Sequence, residues 1–407
     1  MNTKNLVILA FLAAILGLFV ACGKSADSKL ITVSGATLAE KLEWLASNAA
    51  SNTSYLLKIS AAHEELAPYN LSYFGSNITI QLKGIGKERV VSFSNNGSLF
   101  TVNNGVTLIL DNITLTGASG NNNALVRVNS GGSLQLNKDV KISGNSGSGV
   151  YNNGGTITMT GGEISGNKGG GVRNDVTYTS IDGEYVTIIG TFTMSGGKIS
   201  GNTSSSFDGG GVYNNGIFTM SGGEISDNTS SYGGGVSNYG NFTMEDGKIS
   251  GNTCFIGGGV DNHGTLTMKG GTISGNNAFF YGGGMSNSVT YTYTYDGYIS
   301  EGMFTMTGGE ISGNTASSYG GGVVVGNEAV LFKTGGTITG YTEGDGNSNV
   351  VKNDSGVVQN DQGHSVYAYH DDDAYIKQKE TTDGPGDVLL SYNGKFDPPV
   401  WSGDWDN

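Results

Sequence analysis

Short stretches in which apolar and polar residues alternate recur along most of the chain, separated by glycine and asparagine. In residues 217–220 the phenylalanine and the methionine fall on one face, and the threonine falls on the other. Residues 212–214 and 224–226 alternate in the same way. Alternation with a period of two, in pieces bounded by turn-forming residues, predicts short, half-buried β-strands.

These three strands belong to one phrase of roughly 24 residues that the sequence repeats. The phrase reads Gly-Gly-Gly-Val-x-Asn, a spacer, Phe-Thr-Met, and Gly-Gly-Glu/Lys-Ile-Ser-Gly-Asn. Its closing Ile-Ser-Gly-Asn begins at Ile142, Ile164, Ile199, Ile249, Ile273 and Ile311, with the variant Ile-Ser-Asp-Asn at Ile225. A fixed period indicates stacked units, each burying its apolar face against its neighbours. We therefore predict an all-β fold, a right-handed three-sided parallel β-helix.

Stacking the units aligns equivalent residues in columns, in which successive residues lie about 4.8 Å apart. The isoleucines of the repeated segment are predicted to face inward, together with three further apolar columns: Ile157, Phe192, Phe218, Phe242, Leu266 and Phe304; Met159, Met194, Met220, Met244, Met268 and Met306; and Val150, Val172, Val212, Val236 and Val260. A fourth column occupies a corner: Asn145, Asn167, Asn202, Asn228, Asn252, Asn276 and Asn314. We expect these asparagines to adopt a left-handed backbone and to hydrogen-bond between coils.

The residue before each isoleucine forms a column of charges that tests this register. The column reads Lys141, Glu163, Lys198, Glu224, Lys248, Thr272, Glu310 and Thr337, with no two like charges adjacent. Opposite charges across neighbouring strands stabilise a sheet by a few tenths of a kcal/mol to about 1 kcal/mol per pair. Because the signs cancel, we interpret the column as a register device and not as a binding surface.

The regular repeats are bounded and interrupted by other elements. Residues 37–40 form a capping-box pattern, and Leu38, Leu42 and Leu45 share one helical face, which predicts a helix over 37–50 lying on the first coil. Two overlong repeats carry insertions at the same point, at 176–185 and 289–298. Strand-forming residues around Asp-Gly predict protruding hairpins, four coils or about 20 Å apart.

The N-terminus reads as a targeting segment. Lys4 precedes an apolar run at 6–20, and Phe-Val-Ala-Cys at 19–22 resembles a bacterial lipobox. We predict a lipoprotein signal peptide at 1–21 and lipid on Cys22, which anchors the chain to the bacterial outer membrane or cell surface. The remaining boundaries are predicted at 22–77 for a tether and N-terminal cap, 78–370 for the β-helix, and 371–407 for a C-terminal cap and tail.

Composition narrows the possible partners. The net charge of −14 argues against nucleic acid as a partner. If Cys22 carries lipid, Cys254 is the one remaining thiol, and we interpret it as a small apolar side chain. The four histidines are scattered, and carboxylates cluster only at residues 371–373, beside His370, where a solvated acidic turn is expected. We predict no catalytic residue, metal or cofactor.

The positions that vary between repeats carry the binding hypothesis. Aromatic residues occupy the turn before Gly-Gly-Gly in successive repeats, and tyrosines occupy both inserted hairpins. The turn aromatics either pack back as a stacked column or form an exposed ridge. The candidate binding residues are Phe207, Tyr232, Phe255, Phe280, Tyr281 and Tyr319 in the turns, and Tyr178, Tyr185, Tyr293 and Tyr295 in the hairpins.

The Gly-Gly-x-Ile-Ser-Gly-Asn phrase, as at 161–167 and 196–202, resembles the repeats of bacterial surface right-handed β-helix proteins. More distantly it is similar to chlamydial polymorphic membrane proteins, although their regular Phe-x-x-Asn and their C-terminal barrel are missing here. The resemblance implies a surface-exposed, adhesin-like protein and supplies no catalytic residue. Pectate lyases and related polysaccharide enzymes share the scaffold.

The sequence thus leaves three functions open. The first is an adhesin-like or structural surface protein that binds protein or glycan through its turns and hairpins. The second is a polysaccharide lyase or hydrolase using Asp261 or residues 371–373. The third is a structural or immune-variable coat protein with no specific ligand.

Overall fold

The structure, a computed structural model, is a parallel β-solenoid of about 11 turns with almost no helix. It describes residues 30–93, 95–181, 184–205, 209–294, 297–326, 328–360, 362–370, 375–379, 388–391 and 400–402. Each coil passes through three columns of parallel strands, named here after their sequences. In chain order these are the Phe-Thr-Met column, the Ile-Ser column and the Val-x-Asn column.

The first two columns are partly fused, because some strands run through both. The Phe-Thr-Met column contains Leu30–Thr32, Thr53–Ile59, Ile78–Gly84, Val106–Asp111, Ser133–Leu136, Thr156–Met159, Thr191–Met194 and Thr265–Met268. The Ile-Ser column contains His63–Glu65, Val90–Ser92, Thr114–Thr116, Lys141–Ser143, Glu163–Ser165, Lys198–Ser200 and Thr272–Ser274. The strands that run through both are Ile217–Ser226, Asn241–Ser250, Met303–Ser312 and Val330–Ile338.

The Val-x-Asn column forms a separate sheet, and the turn before it adds a short fourth column. The Val-x-Asn strands are Tyr69–Leu71, Phe100–Val102, Val126–Asn129, Val150–Asn153, Val172–Ile181, Val212–Asn214, Val236–Asn238, Val260–Asn262, Met285–Asn287, Val323–Val325 and Val366–His370. The turn column contains Thr253–Ile256, Asn277–Tyr281, Thr315–Ala316 and Val350–Val351.

Equivalent residues of successive repeats pair directly, so the predicted register is confirmed. Phe192, Phe218 and Phe242 stack with ring centroids 4.8 and 4.6 Å apart and nearly parallel planes. All residues of the predicted phenylalanine, methionine, isoleucine and valine columns are buried. Burial of this continuous apolar interior is the main favourable contribution to the stability of the stack.

The charge column also has the predicted pairing. Lys141 lies 3.7 Å from Glu163, and Lys198 lies 3.5 Å from Glu224, with each pair on adjacent strands of the Ile-Ser column. These side chains remain about two-fifths exposed, so each pair stabilises the fold only weakly.

The corner asparagines form a buried ladder, which confirms half of the prediction made for them. From Asn167 to Asn349, each side-chain Nδ2 donates to Oδ1 of the asparagine one coil further on, at 2.9–3.0 Å. The left-handed backbone was assigned to the wrong residue. The residue before the asparagine has the left-handed backbone instead. Examples are Gly201 (φ 62°), Gly251 (φ 66°) and Asp227 (φ 57°).

A second buried ladder was missed by the sequence analysis. The last residue of Val-x-Asn faces inward beside the valine, and its Nδ2 donates to Oδ1 on the next coil at 2.7–2.8 Å. Its members are Asn152, Asn174, Asn214, Asn238, Asn262 and Asn287, all fully buried. Glycine beside the ladder is required by close approach, since a Cβ at Gly216 would lie 2.2 Å from the carbonyl oxygen of Gly190 and 2.9 Å from Asn174 Nδ2.

Both ends of the described solenoid carry additional elements. An α-helix, Leu38–Asn48, lies within the predicted range; the Thr37 hydroxyl accepts from the backbone N–H of Glu40 at 3.2 Å. Its leucines join the core, and the Tyr69 hydroxyl donates to the carbonyl of Leu42 at 2.7 Å. At the other end, three strands add to the columns in antiparallel orientation. Tyr375–Lys379 pairs with Val366–His370, Val388–Ser391 pairs with Val330–Ile338, and Val400–Ser402 pairs with Val388–Ser391.

Candidate functional site

Both inserted segments are antiparallel hairpins, as predicted. In the first, Val172–Ile181 pairs with Glu184–Ile189, and Tyr178 and Tyr185 lie on the same face, 66% and 87% exposed. In the second, Thr290–Thr294 pairs with Gly297–Glu301. Tyr293 lies opposite Tyr298 in that hairpin, whereas Tyr295 lies outside the described residues.

The turn aromatics divide into two groups, so neither of the two predicted arrangements holds alone. Phe255, Phe279 and Phe280 are 49%, 51% and 47% exposed, and their rings on adjacent coils lie 5.6–5.9 Å apart. We call these three residues the phenylalanine patch. It gives the turn column a contiguous exposed apolar surface, and such surfaces, when large, mark interaction sites.

The second group packs back against the sheet. Tyr281 stacks on Tyr319 at 5.6 Å, and Tyr319 stacks on the buried Tyr367 at 4.5 Å. Tyr232 occupies the same position three coils earlier than Tyr319, where it bridges to Ile256 and is half-buried. Phe207 lies outside the described residues.

The phenylalanine patch and the second hairpin flank a single strand. Phe279 and Phe280 precede Met285–Asn287 in the chain, and the hairpin follows it. A strand of this length spans about 10 Å. The two elements therefore lie at opposite edges of the Val-x-Asn column on the same coil.

The outer face of the Val-x-Asn column holds a further constellation that the sequence analysis missed. The residue between valine and asparagine reads Arg127, Tyr151, Arg173 and Tyr213 on four successive coils. The Arg127 guanidinium carbon lies 4.8 Å from the Tyr151 ring centroid, and that of Arg173 lies 4.6 Å from the Tyr213 centroid. The sequence could have indicated this arrangement, because arginine and tyrosine alternate from one repeat to the next at this position.

Further along the same face, the outward residues are small and covered. Ser237, Asp261 and Ser286 are no more than 2% exposed, because the longer turns fold over them. Gly257 of one such turn approaches closely enough that a Cβ there would lie 2.8 Å from the Asp261 backbone. The Asp261 carboxylate is therefore not presented to solvent.

Asp261 instead forms an internal pair with His263. Their Oδ2 and Nε2 atoms lie 3.1 Å apart, and the imidazole stacks on Tyr239 at 4.8 Å. Burial lowers the pKa of His263, but the hydrogen bond and negative charge of Asp261 outweigh it and raise the pKa above 6.5. Asp261 Oδ1, His263 Nδ1 and Ser237 Oγ are buried without a protein partner among the described residues.

Cys254 lies in the same covered region and behaves as a buried thiol. Its sulfur donates to the carbonyl of Ile256 at 2.8 Å, and burial raises its pKa to about 12. A thiol in this state is a poor nucleophile. Residues 371–373, the other carboxylates considered for chemistry, lie outside the described residues.

The part of the chain that the structure describes holds no group of three or more His, Cys, Asp or Glu side chains placed to bind a metal ion. Within that part, no helix is long and apolar enough to span a membrane. Comparison with protein-family models, curated proteins and solved structures found no match. The resemblance to chlamydial polymorphic membrane proteins and to the pectate-lyase scaffold therefore has no support beyond the shared solenoid.

Proposed function

We propose that this chain is a lipid-anchored bacterial cell-surface β-helix protein with an adhesin-like or structural role. Its coil is three-sided and right-handed, and the helix Leu38–Asn48 caps the first coil. Lipid on Cys22 attaches it to the outer membrane or cell surface. The turns and hairpins bind a protein or a glycan.

The phenylalanine patch is the observation that carries this proposal. Regular repeats account for the inward residues and for the paired charges, but they do not require three half-exposed phenylalanines on adjacent coils. Tyr178 and Tyr185 add exposed aromatic area on a hairpin. Rigid aromatic side chains contribute large contact area at low conformational cost, which suits a binding surface.

Deletions that restore the regular repeat test the hairpins without disturbing the coil. Removing residues 176–189 joins Asp175 to Gly190, which matches Asn215–Gly216 of the next coil. Removing residues 289–301 joins Ser288 to Gly302 in the same way. A third variant replaces the three residues of the phenylalanine patch with serine.

The full chain, in a polyoxyethylene detergent, and the three variants are screened against matrix proteins and glycans. We expect at least one ligand to bind the intact chain and to be lost from one or more variants whose circular dichroism is unchanged. Absence of binding by the intact chain, or equal binding by all variants, would contradict the proposal.

Anchoring is tested separately. In a bacterial host, Cys22→Ser should move the protein from the membrane fraction to the soluble fraction, and mass spectrometry should find lipid on the Cys22 peptide. External protease should degrade the wild-type protein on intact cells. Resistance to external protease would place it inside the envelope and contradict the surface assignment.

A further inference from the structure

The groove beside Arg127 and Arg173 concentrates positive charge in an acidic chain. The sequence has three arginines and a net charge of −14, and two of the three occupy alternate coils of one column. Two coils correspond to about 10 Å along the axis. From this placement we propose that the groove binds acidic oligosaccharides, independently of the phenylalanine patch and the hairpins.

The arginines are held in fixed orientations by stacking. Tyr151 lies between them, with its ring centroid 4.8 Å from the guanidinium carbon of Arg127 and 5.8 Å from that of Arg173. The Tyr151 hydroxyl is itself fixed by donating to Asn153 Oδ1 at 3.1 Å. A guanidinium group that is already oriented loses less side-chain entropy when it binds an acid group.

The charges of the groove are only partly neutralised by the protein. Arg173 is paired with Asp175, at 3.0 Å, but Arg127 Nε donates to the neutral amide of Asn129 at 2.8 Å. Lys168 is a third basic residue lining the groove, and within the described ranges neither it nor Arg127 has a carboxylate within 4.0 Å. Lys141 and Lys198, by contrast, each pair with a glutamate. Arg127 and Lys168 therefore leave a local positive potential that attracts anions.

The remaining lining identifies the class of anion. The groove has a volume of about 470 Å³, and besides the basic residues and Tyr151 it is lined by serines, asparagines, glycines and one alanine. The asparagine and serine members include Asn122, Asn123, Ser146 and Ser148. Such short polar groups suit the hydroxyls of a sugar. The lining offers few apolar groups for the side chains of a peptide.

The stack also disfavours nucleic acid. Binding of single strands requires open aromatic faces for the bases, whereas the faces of Tyr151 are covered by the two guanidinium groups. The spacing of Arg127 and Arg173 favours a ligand with acid groups on non-adjacent units. Uronate-containing oligosaccharides with an acid on alternate sugars satisfy that requirement.

The test uses the full chain in a polyoxyethylene detergent, which contains no sugar. Calorimetry measures binding of a hyaluronan octasaccharide, which has a carboxylate on alternate sugars. The comparison ligands are a chondroitin sulfate octasaccharide, a neutral chitin oligosaccharide and oligothymidylate. We expect both acidic oligosaccharides, or one of them, to bind more weakly as salt increases, and the neutral sugar and oligothymidylate not to bind.

Variants assign the site. Arg127→Gln and Lys168→Gln should each weaken acidic oligosaccharide binding by about 10- to 100-fold, as expected for loss of a charged hydrogen bond. Arg127→Lys retains the positive charge but loses the two parallel N–H donors of the guanidinium. Its affinity for the acidic oligosaccharide should lie between that of Arg127→Gln and that of the wild type. The matched control is Lys269→Gln, which removes a lysine paired with Glu245 elsewhere and should leave affinity unchanged.

Thermal unfolding of each variant excludes loss of the fold as the cause. The proposal is overturned if no acidic oligosaccharide binds, if oligothymidylate binds as well as the oligosaccharides, or if Lys269→Gln weakens binding as much as Arg127→Gln. Retained oligosaccharide binding by the hairpin-deletion and phenylalanine-patch variants distinguishes this site from the surface proposed above. Loss of oligosaccharide binding by these variants would contradict the proposal that the groove binds independently of the hairpins and the phenylalanine patch.

Discussion

The corner asparagine ladder makes the stability of the solenoid sensitive to a single buried amide. Asn228 lies near the middle of this ladder and is fully buried. Its Nδ2 donates to the carbonyl of Ile199 and to Oδ1 of Asn252, both at 3.0 Å. Its Oδ1 accepts from the backbone N–H and the Nδ2 of Asn202, also at 3.0 Å. Asn228→Ala removes all four hydrogen bonds.

The size of the destabilisation caused by Asn228→Ala depends on which hydrogen bonds its partners keep. Asn202 Nδ2 still reaches the carbonyl of Ile164, and Asn252 Oδ1 still accepts the backbone N–H of residue 228. The backbone N–H of Asn202 loses its acceptor, and an orphaned buried donor costs about 1–3 kcal/mol. With about 0.5–1 kcal/mol for each of the other three bonds, we expect a loss of about 2.5–6 kcal/mol in the free energy of unfolding.

Urea unfolding followed by circular dichroism measures the global loss, and hydrogen exchange measures its location. A loss of this size should raise exchange of the amides on the coils at 199–205 and 225–230 by about 100-fold or more. Asn228→Asp keeps the acceptor oxygen but places a second oxygen against the carbonyl of Ile199. It should be severely destabilised at neutral pH and partly recover in acid.

Asn241→Ala is the matched control, because it makes the same chemical change at an exposed position on the outer face. It should change the free energy of unfolding by no more than about 0.5 kcal/mol. Equal effects of Asn228→Ala and Asn241→Ala would refute the argument that the ladder stabilises the stack.

Three further predictions concern charge, pH and reactivity. Lys198→Glu places three negative charges on consecutive coils and should cost about 1 kcal/mol, measured as a lower urea midpoint whose shift diminishes in high salt. Because the pKa of His263 is raised in the folded state, its pairing with Asp261 should stabilise the fold fully below about pH 6.5, and this stability should be lost as pH rises through the folded pKa. The difference in melting temperature between wild type and His263→Asn should therefore shrink at alkaline pH, and a difference that grows would contradict this sign. Cys254 should resist iodoacetamide at pH 8 in the folded chain and react in urea, as followed by peptide mass; rapid alkylation without urea would disprove its burial.

Much of the fold could be predicted because each repeat reports the same local environment. The columns of Phe218 and Met220 and the pairing of Lys198 with Glu224 follow from period-two alternation combined with a fixed repeat. The inward ladder that includes Asn214 was missed, although alternation places Asn214 on the same face as Val212. Alternation within one repeat does not show how a buried amide is satisfied, which here is by its copies on neighbouring coils.

The candidate sites were less predictable from the residues alone. The exposure of Phe255 and the packing of Tyr319 arise in turns with similar aromatic content, so composition could not separate them. Their difference depends on which ring meets the sheet at Tyr367 and which extends beyond it.

The sequence by itself determined the strands, the columns and the register of this protein, because identical local patterns repeated at one period can stack in only one alignment. The tertiary structure decided which outward residues remain accessible. It buried Asp261 beneath a turn, moved the left-handed corner to the residue before asparagine, and placed Arg127 and Arg173 on either side of Tyr151. These outcomes depend on how turns fold over the sheet and on contacts between coils, which no single repeat specifies.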